Sequence, residues 1–325
     1  MRAPEFWSRT DFSARTLATT LSPLGLLYGA SVAWKHRFQF PYRSHAFVIC
    51  VGNLTVGGTG KTPLAIALTR MLRSEHIDVA MLTRGYGRNR GNALLVDPQK
   101  HGVETVGDEA LLLAKVATTI VARNRADGAR LAEAQGAHVI VMDDGYQNFT
   151  LEKDLSLVVV DGGTGFGNGR IIPAGPLRES LRQGLGRADG VILMGEGTPA
   201  LPGFSGPVLR ARLVSGPRMD GKPLTAFAGI GRPEKFFAML RALGAELVQT
   251  FSFADHHAYS AAEIATLKTR ARETNTILIT TEKDIVRLGA SDREEIEVLT
   301  VHAVFDDPAS PMRLVQSLLA QANAR

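Results

Sequence analysis

Hydrophobic positions near the amino terminus fall at helical spacing, and those in the rest of the chain form short runs separated by amphipathic stretches. Leu17, Leu21, Leu24, Tyr28 and Val32 line one helical face, with Pro23 marking a bend. Between Arg15 and Lys35 lie 19 uncharged residues, eight of them Thr, Ser, Gly or Pro. That length suffices to cross a bilayer, but the segment is only weakly apolar. Trp34, Lys35, His36 and Arg37 follow at once. An apolar stripe closed by an aromatic residue and cations suits a helix lying in a membrane surface. A helix packed on its own domain and a true span are the alternatives. A cleaved signal peptide fits poorly, because Glu5 and Asp11 occupy the region that should be basic.

The body reads as α/β. Residues 46–51 form a buried strand, followed by a glycine-rich loop and a helix over 61–72. Further strands at 78–82, 118–121, 138–142, 156–160 and 191–194 alternate with helical patterns at 107–116 and 123–135. That alternation predicts a parallel sheet covered by helices on both faces. A low-charge Gly/Pro stretch, 195–207, reads as a linker. Strands at 207–214, 224–228, 246–252, 276–280 and 295–301, with helices at 233–243, 261–273 and 311–323, then predict a smaller α/β domain. The expected division is an arm over 1–45, a core over 46–206 and a C-terminal domain over 207–325.

Composition narrows the class. At 325 residues, 45% hydrophobic and 21% charged, the chain is neither a disordered tail nor a fibrous repeat. Its single cysteine, Cys50, excludes a disulfide framework and any multi-cysteine metal site. The formal charge is +5, and the arm with six basic and two acidic residues supplies +4 of it. The body is therefore near neutral, which argues against a nucleic-acid surface.

The strongest chemical signal is Thr55-Val56-Gly57-Gly58-Thr59-Gly60-Lys61-Thr62, between a predicted strand and a predicted helix. Glycines let backbone N–H groups turn toward phosphate oxygens, and the helix N-terminus adds favourable partial charge. Lys61 suits the β/γ-phosphates and Thr62 a Mg²⁺ ion, so ATP with Mg²⁺ is the expected ligand pair. Thr55 stands where the usual pattern has glycine. Partitioning-type ATPases carry lysine at the position of Val56, so their dimer-dependent hydrolysis is not expected. The strand 139–142 ends in Asp143 and Asp144, placed to hold the metal. Asp108 and Glu109 open a helix, where acids are also stabilised by the helix dipole. Asp255-His256-His257 is a possible catalytic or orienting group, or a surface pair. Arg84, Arg88, Arg123, Arg125, Arg170 and Arg178 are possible phosphate-gripping cations. Thr281-Glu282-Lys283-Asp284 reads as a helix cap with paired charges.

Taken in order, the motifs resemble one family. They are Val51–Pro63, Thr83–Gly87, Val106–Glu109, Asp143–Gln147, Pro173–Glu179, Phe227–Ile230, Asp255–His257 and Thr281–Asp284, preceded by Ser22-Pro23-Leu24-Gly25-Leu26-Leu27-Tyr28. The series resembles the tetraacyldisaccharide 4'-kinases of Gram-negative bacteria over about residues 15–315, and the family shares the Thr55 departure. The resemblance implies transfer of the ATP γ-phosphate to the 4'-hydroxyl of a tetraacylated glucosamine disaccharide 1-phosphate, giving lipid IVA at the cytoplasmic face of the inner membrane. It implies Asp108 as base paired with His256, and Lys61, Thr62, Asp143 and Asp144 serving ATP and Mg²⁺; Arg178 is the arginine suited to neutralise charge during transfer. It also gives the arm a purpose, as a peripheral membrane anchor. No obligate protein partner is implied. A kinase of a soluble small molecule and a membrane-bound nucleotide-dependent scaffold are the rival readings.

Overall fold

The computed structural model describes residues 4–9, 11–85 and 91–323, with side chains described to 317. In chain order the elements are α1 (Phe12–Phe38), β1 (Phe47–Gly52), α2 (Lys61–Ser74), β2 (Val79–Thr83), β3 (Leu94–Leu95), α3 (Val103–Val106), α4 (Asp108–Ala114), β4 (Thr118–Val121), α5 (Arg125–Ala134), β5 (Val139–Asp143), β6 (Leu155–Asp161), α6 (Leu181–Leu185) and β7 (Gly190–Met194). They continue with β8 (Val208–Ser215), β9 (Pro223–Ala228), α7 (Pro233–Ala242), β10 (Glu246–Ser252), α8 (Ala261–Glu273), β11 (Ile277–Thr281), α9 (Glu282–Ile285), β12 (Ile296–Leu299), β13 (Val301–Phe305) and α10 (Ser310–Asn323).

The large sheet runs β13-β8-β7-β6-β1-β5-β2-β4-β3 and is parallel except at β3 and β13. Its central strands are buried along nearly their whole length, as the uninterrupted apolar runs require. β1 lies beside β6, and their onward connections leave in opposite directions, β1 toward β2 and β6 toward β7. A crevice at the carboxyl ends of the strands forms at such a switch point, and the glycine-rich loop opens there. The small sheet, β10-β9-β11-β12, is parallel throughout.

Two expectations change. The stretch 195–207 joins β7 to β8 within the large sheet, so it is no boundary between domains. Strand 295–301 resolves into β12 in the small sheet and β13 in the large one, with Thr300 between them. The small sheet thus spans Pro223 to Leu299, and α10 returns to the large sheet, where Val315 joins its core. Apolar alternation marks a strand without saying which edge it joins. The expected helix over 107–116 is α4, and Gly107 (φ 84°) separates it from the short α3 before it.

The two sheets share a core. Leu111 and Leu112 of α4 pack with Phe227, Ile264, Leu267 and Ile285 of the smaller unit. This packing seats the start of α4 against the loops of the small sheet. Helix α1 rests on the loop 168–177: Arg170 donates to Ala18 O and to the hydroxyls of Thr19 and Ser22. Gly25 lies so close there that an added Cβ would meet Ile171 O at 2.8 Å. Pro23 sits inside α1.

Candidate active site

The loop between β1 and α2 is held from outside. Val56 N donates to Pro176 O at 2.8 Å, Arg178 N donates to Leu54 O at 2.8 Å, and Thr55 bridges to Leu177. Gly57 (φ 121°) and Gly60 (φ 84°) take backbone conformations that side chains disfavour. Thr59 accepts from the Asn53 amide at 3.2 Å. The segment is thereby shaped as a cradle at the start of α2, a 14-residue helix whose first residues are Lys61 and Thr62.

Thr62 donates its hydroxyl to Asp143 Oδ2 at 2.9 Å, across neighbouring parts of β1–α2 and β5. Asp143 is fully buried, and its Oδ1 has no hydrogen-bond partner. Burial, reinforced by the carboxylates of Glu109 and Asp144, raises its pKa well above the usual carboxylate range. A buried carboxylate oxygen with no donor beside a threonine hydroxyl fits a hard cation. Among the described residues no three His, Cys, Asp or Glu side chains cluster as a complete metal cage. A Mg²⁺ ion held through few protein ligands and completed by phosphate oxygens matches that donor set.

Asp144 turns another way. Its backbone is left-handed (φ 51°), and its Oδ1 meets Lys61 Nζ at 3.5 Å and Arg178 at 3.1 Å. Burial alone would raise its pKa, but these two cations outweigh it and hold the carboxyl low. Lys61, Arg178 and Asp144 are therefore brought together, while Asp143 alone bonds Thr62.

The second half of the site joins the two units. His256, after β10, places Nδ1 3.0 Å from Asp108 Oδ2 at the start of α4. His256 is itself left-handed (φ 57°) and its N–H donates to Gly229 O after β9. Asp108 is 2% exposed; its Oδ1 accepts from Glu109 N at 2.8 Å and its Oδ2 from Arg287 Nε at 2.9 Å. Burial pushes the Asp108 carboxyl up, but the His256 hydrogen bond and the Arg287 charge overcome it and hold it low. The same hydrogen bond raises the His256 pKa against the opposing effect of burial. Lys283 donates to Glu109 at 2.6 Å, a second bridge between the units.

Arg287 was not legible as a functional residue. Asp284 fixes it at 2.9 Å and is fully buried, also accepting from Gly229 N, Tyr259 and Thr281. The signal was present as the i, i+3 spacing of Asp284 and Arg287. Arg232, before α7, was missed too. Its guanidinium lies 3.5 Å from the position of a Cβ on Gly57, and Asp161 faces it at 4.0 Å.

Other candidates have structural partners. Arg170 anchors α1, Arg125 is buried and bonds Ala122 O, and His257 bonds Glu263 at 3.0 Å. Thr281 caps α9 as expected. Arg123 is exposed. Arg88 lies outside the described residues, as do Tyr86 and Gly87 of the Thr83–Gly87 motif.

The family model described as "Tetraacyldisaccharide-1-P 4'-kinase" matches residues 17–320. The chain is 49% identical to the tetraacyldisaccharide 4'-kinase of Rhodospirillum rubrum, covering 98% of each. It is 48% identical to that of a Methylorubrum extorquens strain, again over 98% of each. LpxK from Aquifex aeolicus, solved in complex with ATP, superposes with a TM-score of 0.78 at 26% identity, over 93% of this chain and 99% of that one.

Proposed function

The chain belongs to the tetraacyldisaccharide 4'-kinase family, and we propose that its two units together transfer the ATP γ-phosphate to a lipid held against α1. The activity is that of an ATP-dependent kinase of lipid A biosynthesis, acting on the 4'-hydroxyl of tetraacyldisaccharide 1-phosphate to give lipid IVA. One observation carries the division of labour: the smaller unit reaches both parts of the site, with Arg232 beside Gly57 of the loop, Lys235 donating to Asp161 at 2.8 Å and His256 meeting Asp108 at 3.0 Å. The Asp108–His256 pair and the phosphate loop therefore belong to one site.

In this reading the loop Thr55–Thr62 cradles the phosphates and Lys61 neutralises their charge. Thr62 and Asp143 would hold Mg²⁺, and Asp144 pairs with Lys61 and Arg178. The ion, when bound, supplies charge neutralisation on the phosphate oxygens. Phosphoryl transfer proceeds through a loose transition state, so positioning and charge matter more than a strong base. The Asp108–His256 pair orients the attacking hydroxyl and accepts its proton: the carboxylate supplies the charge, and the imidazole stores the proton. Arg178 swings from Asp144 to the developing phosphoryl charge.

Docking rests on α1. Leu24, Leu26, Leu27, Trp34 and Phe38 are exposed on it, and Lys35, His36 and Arg37 form its last turn. No helix among the described residues is long and apolar enough to cross a membrane. An interfacial helix on anionic lipid at the cytoplasmic face of the inner membrane suits this surface.

The test is label transfer from γ-labelled ATP to purified tetraacyldisaccharide 1-phosphate in detergent with Mg²⁺. Labelled lipid supports the reading. Folded, ATP-binding protein that labels no lipid but labels a soluble alcohol sinks it.

A further inference from the structure

The segment after the Asp143–Gln147 motif has no part in the account so far. It lines a cavity of about 310 Å³ between the end of α1 and the large sheet. Its walls include His36 from the last turn of α1, Tyr146, Phe149, Lys153, Ser156 and Arg187. Lys153 Nζ lies 2.5 Å from Asn148 O and 5.5 Å from the Phe149 ring centre. Neither partner carries a neutralising charge. The Arg187 guanidinium stands over Tyr146 and Phe149 and is fixed by Glu179 at 2.8 Å. Among the described residues Glu152 is the only carboxylate on the walls, and it is exposed. Burial lowers the pKa of both Lys153 and His36, and Arg187 pushes each the same way. A bound anion would reverse both shifts.

We propose that this cavity is a phosphate subsite that takes the 1-phosphate of the acceptor lipid. The inference rests on the kinase reading above and deepens it. The acceptor carries its phosphate at position 1 and reacts at the 4'-hydroxyl, on the other sugar. Anchoring the phosphate fixes which end of the disaccharide reaches ATP. The cavity is linked to the transfer site without sharing its residues: Arg187 holds Glu179, Glu179 accepts from Gln147, Gln147 accepts from Arg178, and Arg178 meets Asp144. Its outer wall is the end of the helix whose exposed apolar side chains suit the acyl chains. Lys153 supplies the charge, and the buried Ser156 hydroxyl supplies a donor.

The experiment crosses a protein change with a substrate change. Full-length wild type and Lys153→Met are assayed on tetraacyldisaccharide 1-phosphate and on the same lipid with a free 1-hydroxyl. One lost charge-assisted hydrogen bond corresponds to about a tenfold fall in kcat/KM, carried by KM. The fall is expected on the phosphorylated lipid alone, with ATP KM unchanged, and Lys153→Arg should restore most of it. Equal losses on both lipids, or none on either, would overturn the subsite. Ser156→Ala gives a second, milder probe if the methionine variant folds poorly, and the same two patterns decide it. Sedimentation with phosphatidylglycerol vesicles separates the other source of phosphate. Unchanged binding by Lys153→Met is expected; a selective loss would assign the cavity to bulk lipid headgroups and overturn the acceptor assignment. Wild type inactive on both lipids would sink the kinase reading itself, whereas the patterns above judge the subsite alone.

Discussion

Asp108 is the residue on which most of the site's electrostatics converge. Its charge is stabilised by a backbone N–H, an imidazole and a guanidinium, all in a setting that water barely reaches. The His256 imidazolium gains from that carboxylate, so its titration reports the pair. In an NMR titration His256 should titrate above the ordinary 6.5, and in Asp108→Asn lower than in the wild type, since burial and the Arg287 charge are then opposed by Asp255 but no longer by Asp108. A midpoint that ignores the substitution would break the pairing. The stability contributions run in opposite directions. That of His256, with its raised value, is complete below its unfolded pKa and lost as pH rises through the folded one. That of Asp108, with its lowered value, is present above its unfolded pKa and lost as pH falls through the folded one. Arg287 is 3% exposed between Asp108 and Asp284. Arg287→Met leaves two buried carboxylates without their cation and should destabilise by about 3–5 kcal/mol in urea unfolding. A change under about 1 kcal/mol would show that the charges find other partners.

At the scale of elements, α1 and the phosphate loop are coupled through one connection. The loop 168–177 carries Arg170, which grips α1, and Pro176, which accepts from Val56 N. Helix α1 thus sits two hydrogen bonds from the proposed nucleotide cradle, so seating it on lipid, as proposed, would bear on that loop. Replacing exposed Leu26 and Leu27 with serine should cut co-sedimentation with anionic vesicles at least several-fold, since each buried leucine contributes about 2 kcal/mol. ATP binding should be unchanged. Equal sedimentation by the variant would return α1 to a helix that only packs. Gly25→Val tests the seat itself, because its side chain would press on Ile171 O. That variant should lose lipid phosphorylation more than ATP binding; a parallel loss of both would mean general unfolding.

Across the whole molecule, the elements of the proposed nucleotide half were largely legible and those of the junction were not. The strand–loop–helix at Thr55–Thr62 and the acidic end of β5 are local patterns, and local geometry produces them. The meeting of Asp108 and His256, 148 positions apart in sequence, depends on how α4 packs under the small sheet. Family resemblance supplied that pair; periodicity did not. Arg287 and Arg232 stayed hidden because a buried arginine and a solvated one look alike in sequence. The edges of the sheets were misread for a related reason. β8 and β13 carry the same alternation whichever sheet they join, and only Thr300 separates two strands that the apolar pattern fuses.

The central claim is that Asp108 of the larger unit and His256 of the smaller one act as a single proton-accepting pair. A double-mutant cycle on single-turnover phosphoryl transfer, with Asp108→Asn, His256→Gln and both together, tests it most directly. If the pair works as one, the double variant should be about as slow as the slower single variant. Losses that multiply would contradict the account and assign the two residues separate roles.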